Sequence, residues 1–391
     1  MRKGNRERPS AAGADRPLTV VDLFCGAGGF TLGLERAGFH VLCGVDSWNL
    51  AAETYARNFK HPIVCADISQ MSAGELLRRA DVEGSPVDLV VGGPPCQGFS
   101  VQRIGSDDDA RNSLVLEFVR MVRELRPRLF IMENVPGLVG KRGHALFESF
   151  LEAVDAAGFD AEAHLVNAAD HGVPQVRRRV VVLGRRRADT APFLLPGASF
   201  KEEEYRTVWD AIGDLPAPTA PDSALLPDPL HRQTRLSELN RQRLRHIPPG
   251  GGMEDLPVHL RVDCHKAGAD RIGHRYVYGR LAPDRPASTI TARFDSFTRG
   301  RFAHPFEDRN ITLREGARLQ TFPDGFLFAG NQEDVAAQIG NAVPPLLAEV
   351  LGRAAAACLA ASPLGESSTG TRRKSAHGSR QMLLFQQERG G

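Results

Sequence analysis

Between Leu18 and Leu183, short apolar stretches rich in valine, isoleucine and leucine alternate with segments whose apolar residues recur at helical spacing. This alternation constrains the fold more than any other feature. Strands are expected at Leu18–Phe24, His40–Val45, Ile63–Ala66, Val87–Val91, Leu129–Met132 and Val180–Leu183. Helices are expected at Phe30–Ala37, Ala51–Phe59, Leu114–Leu125 and Ala145–Ala157; Gly38, Pro127 and Gly158 supply stops. Strand–helix alternation predicts an α/β fold on a parallel sheet. The pattern fails after about Phe193. From there to Pro286, proline, glycine and isolated polar residues dominate, apart from a basic helical stretch at Ser237–His246. A second, smaller and irregular domain is expected there. Helical patterns return at Ile311–Leu319, Glu333–Ile339 and Pro345–Ala360.

The 391 residues suffice for one large or two moderate domains. A chain that is 42% hydrophobic and 25% charged is neither fully disordered nor collagen-like. No apolar run reaches the roughly 18 residues of a membrane span, and Met1–Arg16 lacks the apolar core of a secretory signal. The six cysteines form no CxxC pair, which predicts a reduced, cytoplasmic protein without a structural metal site. Charge is unevenly divided. Residues 17–170 carry 13 Lys/Arg against 21 Asp/Glu, whereas residues 171–310 carry 23 against 17. Positive surface is therefore concentrated in the second half, where a phosphate-bearing partner would need it. Such asymmetry also occurs in enzymes that bind no nucleic acid.

The turn Asp22-Leu23-Phe24-Cys25-Gly26-Ala27-Gly28-Gly29-Phe30 joins the first expected strand to the first helix. Glycines there let backbone amides approach a ligand at a helix N-terminus. Asp46 follows the second strand, suited to accept hydrogen bonds from ribose hydroxyls. Asp67 follows the third, suited to receive an adenine amino group. Together they predict a nucleoside cofactor. The GxGG spacing disfavours NAD. After the next strand, Gly92-Gly93-Pro94-Pro95-Cys96-Gln97-Gly98-Phe99-Ser100 places Cys96 on a stiff polar loop at the carboxyl end of the sheet, where a stabilised thiolate acts as a nucleophile. Glu133-Asn134-Val135 follows the neighbouring strand. A glutamic acid pocketed there against an aromatic base would have its pKa raised and donate a proton.

These segments, with Gln175-Val176-Arg177-Arg178-Arg179, Arg285–Ile290 and Gly340-Asn341-Ala342-Val343-Pro344, stand in the order of the DNA (cytosine-5) methyltransferases. The chain resembles that family, in its prokaryotic restriction–modification form, from Val20 to Leu351 outside a variable middle. The resemblance implies a Rossmann-like methyltransferase fold and S-adenosyl-L-methionine as cofactor. It implies that Cys96 attacks C6 of a cytosine flipped out of double-stranded DNA, and that Glu133 contacts N3 and the exocyclic amine. It places Arg179 at the cytosine O2, and Arg177 at the flipped nucleotide's backbone or the Cys96 loop. The cofactor residues it implies are Phe24, Gly26, Gly28, Gly29, Asp46, Trp48, Asp67, Ile68, Pro94, Asn341 and Val343. One departure is the order Asp46-Ser47-Trp48, which leaves adenine packing to Trp48 or Ile68. Gln97 and Ser100 match a loop that closes over DNA.

The resemblance also implies an organisation. A disordered leader (1–16) precedes a catalytic domain (17–189), a target-recognition domain (190–305), a hinge (306–330), helices returning to the catalytic domain (331–360) and a basic tail (361–391). Arg241, Arg243, Arg245, Arg271 and Arg275 are the expected DNA contacts. Arg178, Arg185, Arg186 and Arg187 suit either phosphate or a solvated rim. A separately encoded restriction endonuclease is the implied partner of a monomeric methylase. A tRNA methyltransferase and a catalytically silent nucleic-acid-binding protein are the competing readings.

Overall fold

The computed structural model describes residues 16–95, 113–187, 191–224, 227–261 and 277–361. Cys96, Gln97, Ser100, Arg271, Arg275, most of the expected leader and nearly all of the expected tail lie outside these residues. The first half folds as the alternation predicts: β1 (Thr19–Leu23), α1 (Gly29–Arg36), β2 (His40–Asp46), α2 (Asn49–Asn58), β3 (Ile63–Cys65), α3 (Ala73–Arg79), β4 (Leu89–Gly92), α4 (Ser113–Leu125), β5 (Leu129–Asn134), α5 (His144–Ala156), β6 (Phe159–Asn167), β7 (Gln175–Val176) and β8 (Arg178–Arg186). A seven-stranded sheet runs in the order β3-β2-β1-β4-β5-β8-β6. The first five strands are parallel, and order reverses between β1 and β4. That is the switch point at which open α/β sheets bind ligands, outside the carboxyl ends of their strands.

The sheet is mixed rather than wholly parallel. β8 runs antiparallel to both β5 and β6. Only a single 3-10 turn (Ala168–His171) and β7, with no α-helix, separate β6 from β8, so β8 returns beside β6 in the opposite sense. The sequence reading omitted β6. Its Asp160, Glu162 and His164 give it no continuous apolar run, because it is the half-exposed edge of the sheet. α3 was also missed; it is a short helix capped by Ser72, whose side chain accepts from the Glu75 amide.

Central strands bury both faces, so successive residues feed opposite cores. Val21, Val90, Phe130 and Met132 pack with Phe118, Met121 and Phe150 of α4 and α5. Val20, Val91, Leu129 and Ile131 pack with Leu34 of α1 and with Leu347, Leu351 and Ala355 of the C-terminal helix. A third apolar cluster joins Tyr55 and Phe59 of α2 to Ile290, Phe294, Phe322 and Ile339 from the second half.

The second half contains α6 (Val208–Ile212), α7 (Glu238–Arg245), β9 (Gly279–Arg280), β10 (Ala287–Ser288), β11 (Arg301–Ala303), α8 (Leu313–Leu319), α9 (Gln332–Asn341) and α10 (Pro345–Ala361). Its irregular part is organised by buried Arg280. That guanidinium donates to the carbonyls of Leu244, Ile247, His304 and Glu307 and to Asp308 Oδ1. One cation thereby adds donors to backbone acceptors from around the end of α7 and from the chain after β11. Gln332–Ala361 is long and apolar enough to pass for a membrane span. It is instead two helices interrupted at Ala342–Pro344, and α10 lies in the core against α1.

α1 and α10 meet at Gly33, where an added Cβ would stand 2.4 Å from the Pro345 carbonyl oxygen and 2.5 Å from Ala348 Cβ. Backbone cannot yield as a flexible side chain does. Gly33→Ala is expected to lower unfolding free energy by about 1–3 kcal/mol, read as a reduced urea midpoint at unchanged slope.

Candidate active site

The carboxyl edge of the sheet opens into a cavity of about 1040 Å³. Its first wall follows β1. Phe24 adopts the left-handed region (φ 58), a strained conformation of the kind that collects at ligand sites. The turn then delivers Gly26, whose added Cβ would meet nothing within 4 Å. The second wall follows β2. Asp46 Oδ2 accepts from the Gly26 amide and Oδ1 from the Trp48 amide, both at 2.8 Å. These bonds fix the carboxylate while leaving each oxygen a further lone pair. Burial pushes the Asp46 carboxyl upward, and the amides oppose that shift. Trp48, Asp67 and Ile68 continue the wall. Volume, an apolar flank, a fixed carboxylate and open backbone together fit a nucleoside-bearing cofactor.

The opposite side is built from β4, β5 and β8. Glu133 ends β5, and Arg179 begins antiparallel β8, so the two side chains reach the same edge. Arg179 Nε stands 3.0 Å from Glu133 Oε1, with side chains 14% and 11% exposed. Oε2 faces the Gly93 backbone, where an added Cβ would lie 3.6 Å away. Asn134 Nδ2 donates to the Pro94 carbonyl at 3.0 Å, tying the end of β5 to the segment that leads into Cys96. Pro94, Pro95 and Glu133 therefore share the cavity with Asp46 and Trp48.

A family model for the C-5 cytosine-specific DNA methylases matches residues 18–356. The chain belongs to this family. The methylase is 37% identical over 341 residues to the type II methyltransferase M1.HphI of Haemophilus parahaemolyticus, with 86% of each chain covered. It is 36% identical over 340 residues to the type II methylase M.HgiDII of Herpetosiphon aurantiacus, covering 85% of this chain and 94% of the relative. Its fold matches the crystal structure of a DNA modification methyltransferase encoded within an E. coli prophage with a TM-score of 0.66. Identity there is 28%, over 86% of this chain and 98% of that one. The protein is thus a DNA cytosine-5 methyltransferase, and its family implies S-adenosylmethionine use.

Several expected site residues of the methylase have structural partners. Gly28 and Gly29 are not among the cavity residues. An added Cβ would lie 2.3 Å from the Phe59 ring at Gly28 and 2.4 Å from the Val343 carbonyl oxygen at Gly29, so close packing explains both. Arg177 touches the cavity but is 1% exposed. It donates to the carbonyls of Ile290, Gly340 and Ala342, each at 3.0 Å. Arg177 is therefore a tether, not a free group awaiting a nucleotide. Burial holds its guanidinium well below the usual arginine range. Arg243 is also buried, donating to Leu260 O and Asn240 Oδ1 with its guanidinium carbon 5.2 Å from the Tyr278 ring centre. Its exposure is 9%. Arg185 and Arg187 lie at the opposite edge of the sheet, engaged with Asp160 and Asp155. Arg241 and Arg245 remain exposed on α7, paired loosely at the surface with Glu238 and Asp308.

Asn341 and Val343 line the cavity as expected. The sequence reading missed Thr289–Arg293 and Arg299, which form a wall of their own. β10 pairs with β7 and brings this segment beside Arg177; Thr289 Oγ1 donates to the Val176 carbonyl. A two-residue strand has no legible periodicity. The family segment Arg285–Ile290 reached the start of this wall but did not mark it as part of the cavity.

The two arginines of the Gln-x-Arg-x-Arg segment should separate experimentally. Arg177→Ala removes the side-chain donor from the buried Ile290 and Gly340 carbonyls and one of two donors from Ala342 O, and is expected to cost about 3 kcal/mol in urea denaturation. Arg179→Ala should stay within about 1 kcal/mol of the parent in stability, yet lose on the order of 100-fold in methyl-transfer rate.

Proposed function

We propose that the chain methylates C5 of one cytosine in a short DNA sequence through a covalent adduct of Cys96, with S-adenosylmethionine in the cavity described above. The observation that carries this reading is the Glu133–Arg179 pair, held beside the segment leading into Cys96 and opposite the Asp46 wall. When bound, S-adenosylmethionine supplies an electrophilic methyl group.

The chain's residues do the rest. Cytosine C5 is a poor nucleophile until addition at C6 gives the ring enamine character, so the Cys96 thiolate forms a bond to C6. The base must leave the duplex for this, because stacking covers both ring faces. Glu133 holds N3 and the exocyclic amine and supplies the proton that N3 takes up. Arg179 holds Glu133 through Oε1 and offers its remaining donors to O2, where negative charge develops. After C5 has taken the methyl group, loss of the C5 proton and expulsion of the Cys96 thiolate release 5-methylcytosine. Asp46 receives the ribose hydroxyls, and Trp48 and Ile68 flank the adenine.

Residues 17–189 and 331–360 act as the catalytic unit on this reading. Residues 190–305 read the target, and 306–330 join the two. Arg241 and Arg245 contact phosphates, with Gln97, Ser100, Arg271 and Arg275 as further DNA contacts. Arg299 joins them: it is exposed at the cavity wall and makes no side-chain hydrogen bond or ion pair among the described residues. Kinship to type II enzymes supports a monomer in a bacterial cytoplasm that protects DNA from a separately encoded endonuclease.

Bisulfite sequencing of a random-sequence DNA library incubated with the protein and S-adenosylmethionine should show protected cytosines within one short motif. Cys96→Ser should abolish protection while retaining cofactor binding. Wholly unprotected DNA with cofactor bound would redirect the substrate to RNA, and turnover by Cys96→Ser would sink the covalent route. Arg299→Ala should weaken binding to all duplexes alike and reduce the slope of log K against log salt by about 1, measured by fluorescence anisotropy.

A further inference from the structure

Asp22 ends β1 at the cofactor wall of the cavity, yet is only 1% exposed. Its Oδ2 accepts from Thr31 Oγ1 at 2.6 Å. Thr31 Oγ1 lies 3.0 Å from the Tyr55 hydroxyl, which lies 3.1 Å from His61 Nδ1. His61 Nε2 is 3.3 Å from Glu35 Oε1, and the Glu35 side chain is 39% exposed. A line of hydrogen-bonding groups thus runs from the cavity, through α1 and α2, to His61, whose side chain is 11% exposed and whose Nε2 stands at ion-pair distance from Glu35 without a hydrogen bond among the described residues. Each hydroxyl both donates and accepts. The line can point toward Asp22 when its carboxylate is ionised, or toward His61 when Asp22 holds the proton.

The titratable groups coupled to Asp22 are Asp46, Cys25, Cys43 and Tyr55. All are acids, and each resists a further negative charge nearby. The one fully buried cation of the cavity among the described residues, Arg177, is tied to three carbonyls. Burial accordingly pushes the Asp22 carboxyl up to about 7, against the opposing Thr31 bond. An acid in this position is partly protonated at neutral pH, and an arriving cation favours its ionised form.

We propose that Asp22 is the counter-charge for the cationic methyl donor, and that donor binding expels a proton from Asp22 along Thr31, Tyr55 and His61. The proposal rests on the reading of the cavity as the S-adenosylmethionine site. Donor affinity then rises with pH through neutrality, because protonated Asp22 must lose its proton for the pair to form. S-adenosylhomocysteine carries no sulfonium charge, so it expels less.

The test is isothermal titration calorimetry of the full chain near pH 7, in phosphate and in Tris, whose ionisation enthalpies differ. S-adenosylmethionine should release on the order of half a proton, and S-adenosylhomocysteine clearly less. Asp22→Asn should abolish the difference between buffers. Thr31→Val removes a donor from the carboxylate and should move the midpoint of the affinity–pH profile upward. Heat that is equal in both buffers overturns the proposal and leaves the cofactor reading standing. Release that survives Asp22→Asn assigns the proton to another group, such as Asp46, and overturns it as well. Absence of any binding heat defeats the cofactor reading and the proposal together. If Asp22→Asn fails to fold, the Thr31→Val profile decides, and an unmoved midpoint is fatal.

Discussion

A guanidinium with almost no solvent and, among the described residues, no carboxylate partner holds this molecule's cavity together. Arg177 reaches Ile290, Gly340 and Ala342. Gln175, two residues earlier, donates to Leu319 O and Gln320 Oε1 and accepts from the Ile290 amide. Gln320 donates in turn to Ile339 O. Segments more than a hundred residues apart in sequence thereby meet in one buried polar network. Such a network specifies a single arrangement when satisfied and is costly when broken. One atom is left out: Arg177 Nε is buried without a partner. The remaining donors outweigh that exception, because they join the last turn of α9 and the Thr289–Arg293 wall to the same guanidinium, beside the links that Gln175 and Gln320 already make.

The antiparallel strand explains the chemistry-bearing edge. A parallel β8 would put Arg179 at the amino edge and Arg185 at the cavity. Reversal does the opposite, bringing Arg179 to Glu133 and sending Arg185–Arg187 to Asp155 and Asp160. Glu133 and Arg179 therefore stand on hydrogen-bonded strands, where register sets their separation. The region proposed to read DNA has little ladder to rely on. Buried Arg243, Arg280 and Arg309 take its place by capping carbonyls and, for Arg309, by pairing with Glu315 and Glu307. Rigid chemistry beside loops that carry specificity is the arrangement that lets target sequence vary while the reaction stays the same.

Much of this was legible beforehand. The central parallel strands announced themselves because they are buried on both faces and so read as continuous apolar runs. The edge strand Phe159–Asn167 did not, because its outward residues are polar. Asp46, Glu133 and the Pro94–Pro95 segment were legible as polar or glycine-flanked residues directly after strands, where a doubly wound sheet puts its ligands. The arginines were harder. Sequence alone cannot tell a guanidinium that caps buried carbonyls from one that faces solvent, so Arg177 and Arg243 read as contacts and Arg280 went unnoticed. The roles of Gly28 and Gly29 were blurred for a related reason. A glycine that admits a ligand and a glycine that admits a phenylalanine ring look alike until the neighbour is known.

Charge within the cavity is sorted. Asp22, Asp46 and Asp67 stand on the walls after β1, β2 and β3, whereas Arg179, Arg293 and Arg299 stand on the others. On the proposed reading, the two ligands differ in the same sense: the methyl donor is cationic and the DNA backbone anionic. Each is drawn to its own side and repelled from the other, which orders them before any specific hydrogen bond forms. The reaction then alters one ligand's charge. Methyl transfer removes the sulfonium charge, so the acidic walls hold the product less firmly than they held the donor. A group near neutrality such as Asp22 sharpens that contrast, because it can take back a proton once the cation is gone. The aspartates that the acidic front half of the chain contributes to the cavity are on this account what distinguishes donor from product.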